Sequence, residues 1–188
     1  MNIKINFKKQ VFNKSSENLI LFIDENFNIS SLKKSISSSD YSYVSDLLKT
    51  RDLKKKIITF DISSKRKIIL VSLRKNLTHS GVENLGADCY EIIKGFKRLD
   101  FSINSDTAIN RSKNIIGHFL HGIKLKSYTF EKYKSKKNIK NITINIFGKN
   151  ISKSKDWAKF NAIEEGTFYA RDLVSEPGNV LHPDEYAK

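Results

Sequence analysis

The sequence predicts an α/β domain, a mixed β-sheet flanked by helices in three layers. Short β-branched or apolar runs at 18–24, 56–62, 67–73 and 141–147 have strand length. Two longer segments, 80–98 and 154–174, carry apolar residues at helical spacing. The order of these elements, a strand-rich beginning and then strands alternating with helices, is that of a sheet covered on both faces. A hydrophobic fraction of 39% over 188 residues is enough for a packed core.

Ile3, Ile5 and Phe7 alternate with Lys4 and Asn6, the period-2 pattern of a half-buried strand. Asn18 to Asp24 is continuously apolar at its centre and suits a strand buried on both faces. Residues 30–50 are polar and serine-rich, with Leu32, Ile36, Val44, Leu47 and Leu48 at helical spacing, and predict a weak helical pair around a loop. The tetrapeptide Ser63 to Arg66 is short enough to join its flanking runs as a hairpin. Val82, Leu85, Cys89, Ile92, Ile93 and Phe96 form one stripe, and Ser80 with Glu83 predicts a capping box at its start. A short strand over 99–103 and a helix over roughly 112–125 follow. In the last helix, about 154–174, Trp157, Phe160, Ile163, Thr167, Ala170 and Val174 make a stripe expected to dock on the sheet. Pro177 and Gly178 stop it.

The formal net charge is +14. Residues 151–188 hold five basic and seven acidic groups, so the positive charge belongs to residues 1–150, with 29 basic and 13 acidic. Such a body either is simply well solvated or attracts a polyanion, and a basic nucleic-acid-binding module is the alternative reading it supports. The single cysteine, Cys89, excludes an intramolecular disulfide and fits a reducing compartment. No secretory h-region opens the sequence, and the apolar runs are too short for a membrane span, so a cytoplasmic location without membrane contact is expected.

Motifs that carry chemistry are scarce. The sequence has no G-x-x-x-x-G-K-[ST], no strand-to-helix G-x-G-x-x-G and no G-x-S-x-G. Cys89 lies on an apolar stripe and reads as a small core residue. His118 and His121 can share a helix face, but an H-x-x-H without a neighbouring carboxylate or third ligand reads as hydrogen-bonded or surface histidine before it reads as a metal site. Glu164-Glu165 and Asp184-Glu185 are adjacent pairs, about 100° apart on a helix, and read as solvated surface.

Two separated stretches carry a resemblance. H-G-I-K-L-K-S-Y-T-F-E-K-Y-K, His121 to Lys134, resembles E-G-x-x-L-G-S-Y-x-F-D-x-Y-K at Gly122, Leu125, Ser127, Tyr128, Phe130, Tyr133 and Lys134. A-R-D-L-V-S-E-P-G-N-V-L-H-P-D-E-Y-A, Ala170 to Ala187, resembles A-R-D-L-V-N-x-P-x-N-x-L-T-P-x-x-[LY]-A at Ala170 to Val174, Pro177, Asn179, Leu181, Pro183 and Ala187. Both patterns are similar to the N-terminal domain of the leucyl (cytosol) aminopeptidase family of di-metal peptidases. The chain departs from them at His121 (usually Glu), Lys126 (Gly), Ser175 (Asn) and His182 (Thr).

The resemblance implies a macro-domain-like, non-catalytic α/β domain over 1–176, whose last helix leads to an interdomain joint, with 177–188 beginning a truncated C-terminal catalytic domain. It implies that Arg171, Asp172, Pro177 and Asn179 belong to that joint and that no catalytic or metal-binding residue lies within 1–188. The metal ligands would sit in the second domain, on motifs such as N-T-D-A-E-G-R. There two divalent ions (Zn or Mn) polarise the scissile carbonyl and supply a bound hydroxide for removing N-terminal residues from peptides. A homohexamer is the implied assembly, with the chain's own catalytic domain as its first partner. A macro-type ADP-ribose site is a further alternative of the same topology, but the glycines are scattered singly and make no phosphate loop.

Overall fold

The computed structural model describes residues 2–8, 18–108, 114–135, 140–149, 154–178 and 180. The elements run β1 (Asn2–Phe7), β2 (Asn18–Asp24), α1 (Ser38–Leu48), β3 (Ile57–Ser63), β4 (Arg66–Leu73), α2 (His79–Ile93), β5 (Asp100–Asn104), α3 (Ile115–Ser127), β6 (Asn141–Phe147) and α4 (Ser154–Ser175). Two 3-10 turns, Ser30–Lys34 and Ser105–Thr107, precede α1 and follow β5.

The strands form one sheet in the order β1-β6-β5-β2-β4-β3. The β3–β4 hairpin is antiparallel and every other pairing is parallel, as expected for a mixed sheet. Alternation along the central strands assigns the two faces. From β2, Leu19, Leu21 and Ile23 point with Ile68 and Leu70 of β4 toward α1 and the 30–34 turn, where Leu32, Ile36 and Val44 cover them. Ile20 and Phe22, with Ile69, Val71, Phe101, Ile103, Ile142, Ile144 and Ile146, point the other way, onto α2 and α3. Each such side chain, taken fully out of water, contributes about 1.5–3 kcal/mol of transfer free energy. Asn18, only 2% exposed, knits three strands at their N-terminal ends. Its amide donates to the carbonyls of Arg98 and Asp100, and its side-chain oxygen accepts from Lys67 N.

Helices α2 and α3 lie unusually close. A Cβ at Gly86 would sit 2.0 Å from the Phe119 carbonyl oxygen, and one at Gly122 would sit 2.0 Å from that of Glu83. Gly122, part of the first resembling stretch, is thus required by backbone contact. The start of α2 differs from the sequence expectation. Its N-cap is Thr78, whose hydroxyl accepts from Gly81 N at 3.1 Å, and not Ser80. Thr78 is the better cap because the helix already includes His79 and Ser80.

The helices after β2 and β5 lie on opposite faces of the sheet, and the gap between such strands is where open α/β sheets commonly hold ligands. Here the 105–107 turn occupies it. Thr107 accepts from Phe22 N at 3.0 Å and donates to the Asn104 carbonyl at 2.7 Å.

Candidate functional site: the contacts of the last helix

Helix α4 is a 22-residue segment with Asp156 in its first turn, where a carboxylate is favourable to the helix dipole. It ends at Ser175, just before Pro177, whose carbonyl accepts from Val180 N at 2.9 Å. Its packing differs from the expected stripe. Ile163 is 43% exposed and Val174 87%, whereas Glu164, expected on the solvated surface, is 4% exposed. The helix turns the side bearing Trp157, Phe160, Glu164, Phe168 and Asp172 inward, toward α3, β1 and the loop after α3.

Three contacts hold that side. Near its start, Trp157 meets Phe7 of β1, ring centroids 4.9 Å apart, and Phe160 packs against the rings of His118 and His121 at 5.0 and 5.1 Å. In the middle, Glu164 bridges two α3 side chains, His121 Nδ1 at 2.9 Å and Lys124 Nζ at 2.6 Å. His118 turns instead to Glu83 of α2 at 2.7 Å and stacks on His79 at 4.1 Å. A carboxylate at position 121, as in the resembling pattern, would face Glu164; the imidazole gives it a partner.

At the end of α4 the two resembling stretches meet. Tyr128 donates to Asp172 Oδ1 at 2.7 Å, stacks on Phe168 and lies under the Arg171 guanidinium at 5.4 Å. Arg171 also donates to the Leu125 carbonyl at 2.7 Å, satisfying one of the free acceptors at the end of α3. Glu176 accepts from Lys132 Nζ at 2.6 Å and from the Tyr133 hydroxyl. Lys132, then Tyr133, hold the Glu176 carboxyl below the ordinary carboxylate range. Glu176 in turn is the main cause raising the Lys132 ammonium and the Tyr133 hydroxyl above their usual values. Burial first, then Asp172, raises the Tyr128 hydroxyl.

Of the residues expected at the joint, Arg171 and Asp172 make these contacts and Pro177 follows the helix end, while Asn179 lies outside the described residues. Glu176 stood at a variable position of the pattern, and only its pairing with Lys132 and Tyr133 identifies it. On the outward side, Ala162, Ile163, Gly166, Ala170 and Val174, with Tyr128, line an open groove of about 660 Å³. Nothing lies within 4 Å of where a Cβ at Gly166 would be. Among the described residues no group of three His, Cys, Asp or Glu side chains is placed to hold a metal ion. Cys89 is fully buried, and burial pushes its thiol up to about 12, which leaves it a packing residue.

No protein-family model matches the chain. A probable cytosol aminopeptidase of Chelativorans sp. (strain BNC1) is 42% identical over 73 residues, 35% of this chain and 14% of the relative. One of Clostridium perfringens is 39% identical over 83 residues, 40% of this chain and 17% of the relative. A solved tomato leucine aminopeptidase mutant superposes on 99% of this chain with a TM-score of 0.73 at 16% identity.

Over 35–40% of its length the chain is similar to cytosol aminopeptidases, and it shares its fold with part of a leucine aminopeptidase.

The fold is also shared, at a TM-score of 0.60 and 13% identity over 92% of this chain, with the bottromycin maturation enzyme BotP, solved also in complex with Mn. This chain spans 41% of the tomato leucine aminopeptidase and 36% of BotP. Among the described residues no helix is long and apolar enough to cross a membrane.

Proposed function

We propose that these 188 residues serve as the non-catalytic N-terminal domain of a cytoplasmic leucyl aminopeptidase. In the longer protein a C-terminal domain would remove N-terminal residues from peptides with two divalent ions, Zn or Mn. The observation that carries this reading is the meeting of the two family-like stretches across α3 and α4, through Tyr128–Asp172 and Arg171–Leu125. A polar clasp at that place fixes the direction in which α4 delivers the chain beyond Pro177. The open apolar side of α4 is then the natural seat for the catalytic domain, and a homohexamer is the assembly in which that contact would be made. The fixed clasp on one side and the apolar groove on the other give the helix one task each: attachment to this domain and contact with the next.

The test is hydrolysis of a leucine p-nitroanilide with Mn²⁺ or Zn²⁺ added. The 188-residue chain should show no turnover, and a polypeptide continuing into N-T-D-A-E-G-R should be active. Turnover by the short chain itself would sink the non-catalytic reading. A reading frame that stops at Lys188 would sink the aminopeptidase reading.

A further inference from the structure

The positive charge of the body is not evenly spread. Arg51, Lys54, Lys55 and Lys56 follow the end of α1 and lead into β3, and all four are exposed. The β3–β4 register places Ile57 opposite Val71, and Ser72 N donates to the Lys56 carbonyl at 2.8 Å. That pairing brings the exposed Arg74 and Lys75, just past β4, to the same corner of the sheet. Several cations elsewhere meet carboxylates, Arg66 with Asp40, Lys94 with Glu91, Lys124 with Glu164 and Lys132 with Glu176, while exposed lysines such as Lys97, Lys140 and Lys159 stand apart from one another in sequence. At the corner the six side chains make no ion pair among the described residues. The nearby acids are engaged, Asp46 with Lys49, Asp52 with Lys54 N and Glu25 with Lys75 N.

We propose that this corner, residues 51–56 with Arg74 and Lys75, binds the phosphate backbone of a nucleic acid. Point charges on flexible exposed stems, with no carved cavity around them, suit a repeating anion better than a small ligand. Four of the six are lysines, which contact phosphates without selecting bases, so recognition is independent of sequence. An anionic membrane is the less suited partner. Leu53 is the exposed large apolar side chain here, and a surface-lying element needs a whole apolar face to insert. The inference is independent of the aminopeptidase reading and survives its failure.

Fluorescence anisotropy with a labelled duplex of about 20 base pairs, from about 20 to 200 mM salt, tests it. The wild-type chain should bind, with affinity falling steeply as salt rises. Lys54→Glu/Lys55→Glu/Lys56→Glu should weaken binding about tenfold or more and lower the log–log salt slope by about 3. A control with the same charge change at three exposed sites elsewhere, Lys97→Glu/Lys140→Glu/Lys159→Glu, should stay within about twofold. Thermal melts of both variants confirm folding, since all six positions are exposed. Equal losses in the two variants would assign binding to net charge and overturn the corner. Absence of binding at low salt, or binding only to phosphatidylserine vesicles, would overturn the nucleic acid.

Discussion

The centre of the sheet and the last helix are held by opposite means. Around β2 and β4 the buried side chains are apolar on both faces, and α2 and α3 approach until Gly86 and Gly122 leave no room for a methyl group. Along α4 the order is inverted: a carboxylate, Glu164, is buried, while Val174 and Ile163 face outward. A helix serving only its own domain turns its apolar stripe inward. The contrast teaches that α4 is fastened by aromatic contacts at its start and by directional polar contacts further on, while Ile163 and Val174 stay exposed.

The largest effect that would sharpen this contrast is in the core. Phe22→Ala removes a fully buried ring that meets Phe119 edge-on at 5.1 Å, and should lower unfolding free energy by about 3–5 kcal/mol in urea titrations. Next is the buried polar contact. Glu164→Ala leaves His121 and Lys124 without their shared acceptor and should cost about 2–3 kcal/mol, below the full range for buried pairs because Lys124 reaches water. Hydrogen exchange should quicken along α4 and not along β2; equal quickening in both would break the distinction.

The clasp at the end of α4 depends on pH in both directions. Glu176 is lowered, so its contribution is present above the ordinary carboxyl value and is lost as pH falls through its folded value. Lys132 is raised, so its contribution is present below the ordinary lysine value and is lost as pH rises through the raised one. Side-chain NMR signals of Lys132 and Tyr133 should therefore report docking between those limits. Loss of docking near neutrality would refute the assignment. The smallest effect is expected on the open face. Val174→Asp should change the stability of this chain by no more than about 0.5 kcal/mol, yet disrupt assembly of the longer protein. A large loss in the short chain would mean that the face is already covered.

Much of the fold was legible because strand runs such as 18–24 and 67–73 are apolar enough to admit no other placement, and because hairpin length fixes the one antiparallel pairing. The clasp was half legible. Arg171 and Asp172 were marked by resemblance, but their partners Leu125 O and Tyr128 lie 46 and 44 residues away, beyond any local pattern. Glu164 was misplaced because charge was taken as a sign of exposure, which fails when His121 and Lys124 stand opposite. The stripe through Ile163 and Val174 was seen and given the wrong neighbour. Periodicity shows which residues share a face and says nothing of whether that face meets its own domain or another.

The parallel pairing of β1 with β6 has a bearing on biosynthesis. Asn6 and Asn145, hydrogen-bonded side chain to side chain, are 139 residues apart. At about 5–20 residues per second of translation, the first strand emerges roughly 7–28 s before its partner exists. The β3–β4 hairpin and its parallel partner β2 can pair in the meantime, because all three strands are made early. The ribosome thus presents β1 unpaired until β6 is made, so the earliest strand of the sheet waits for the latest.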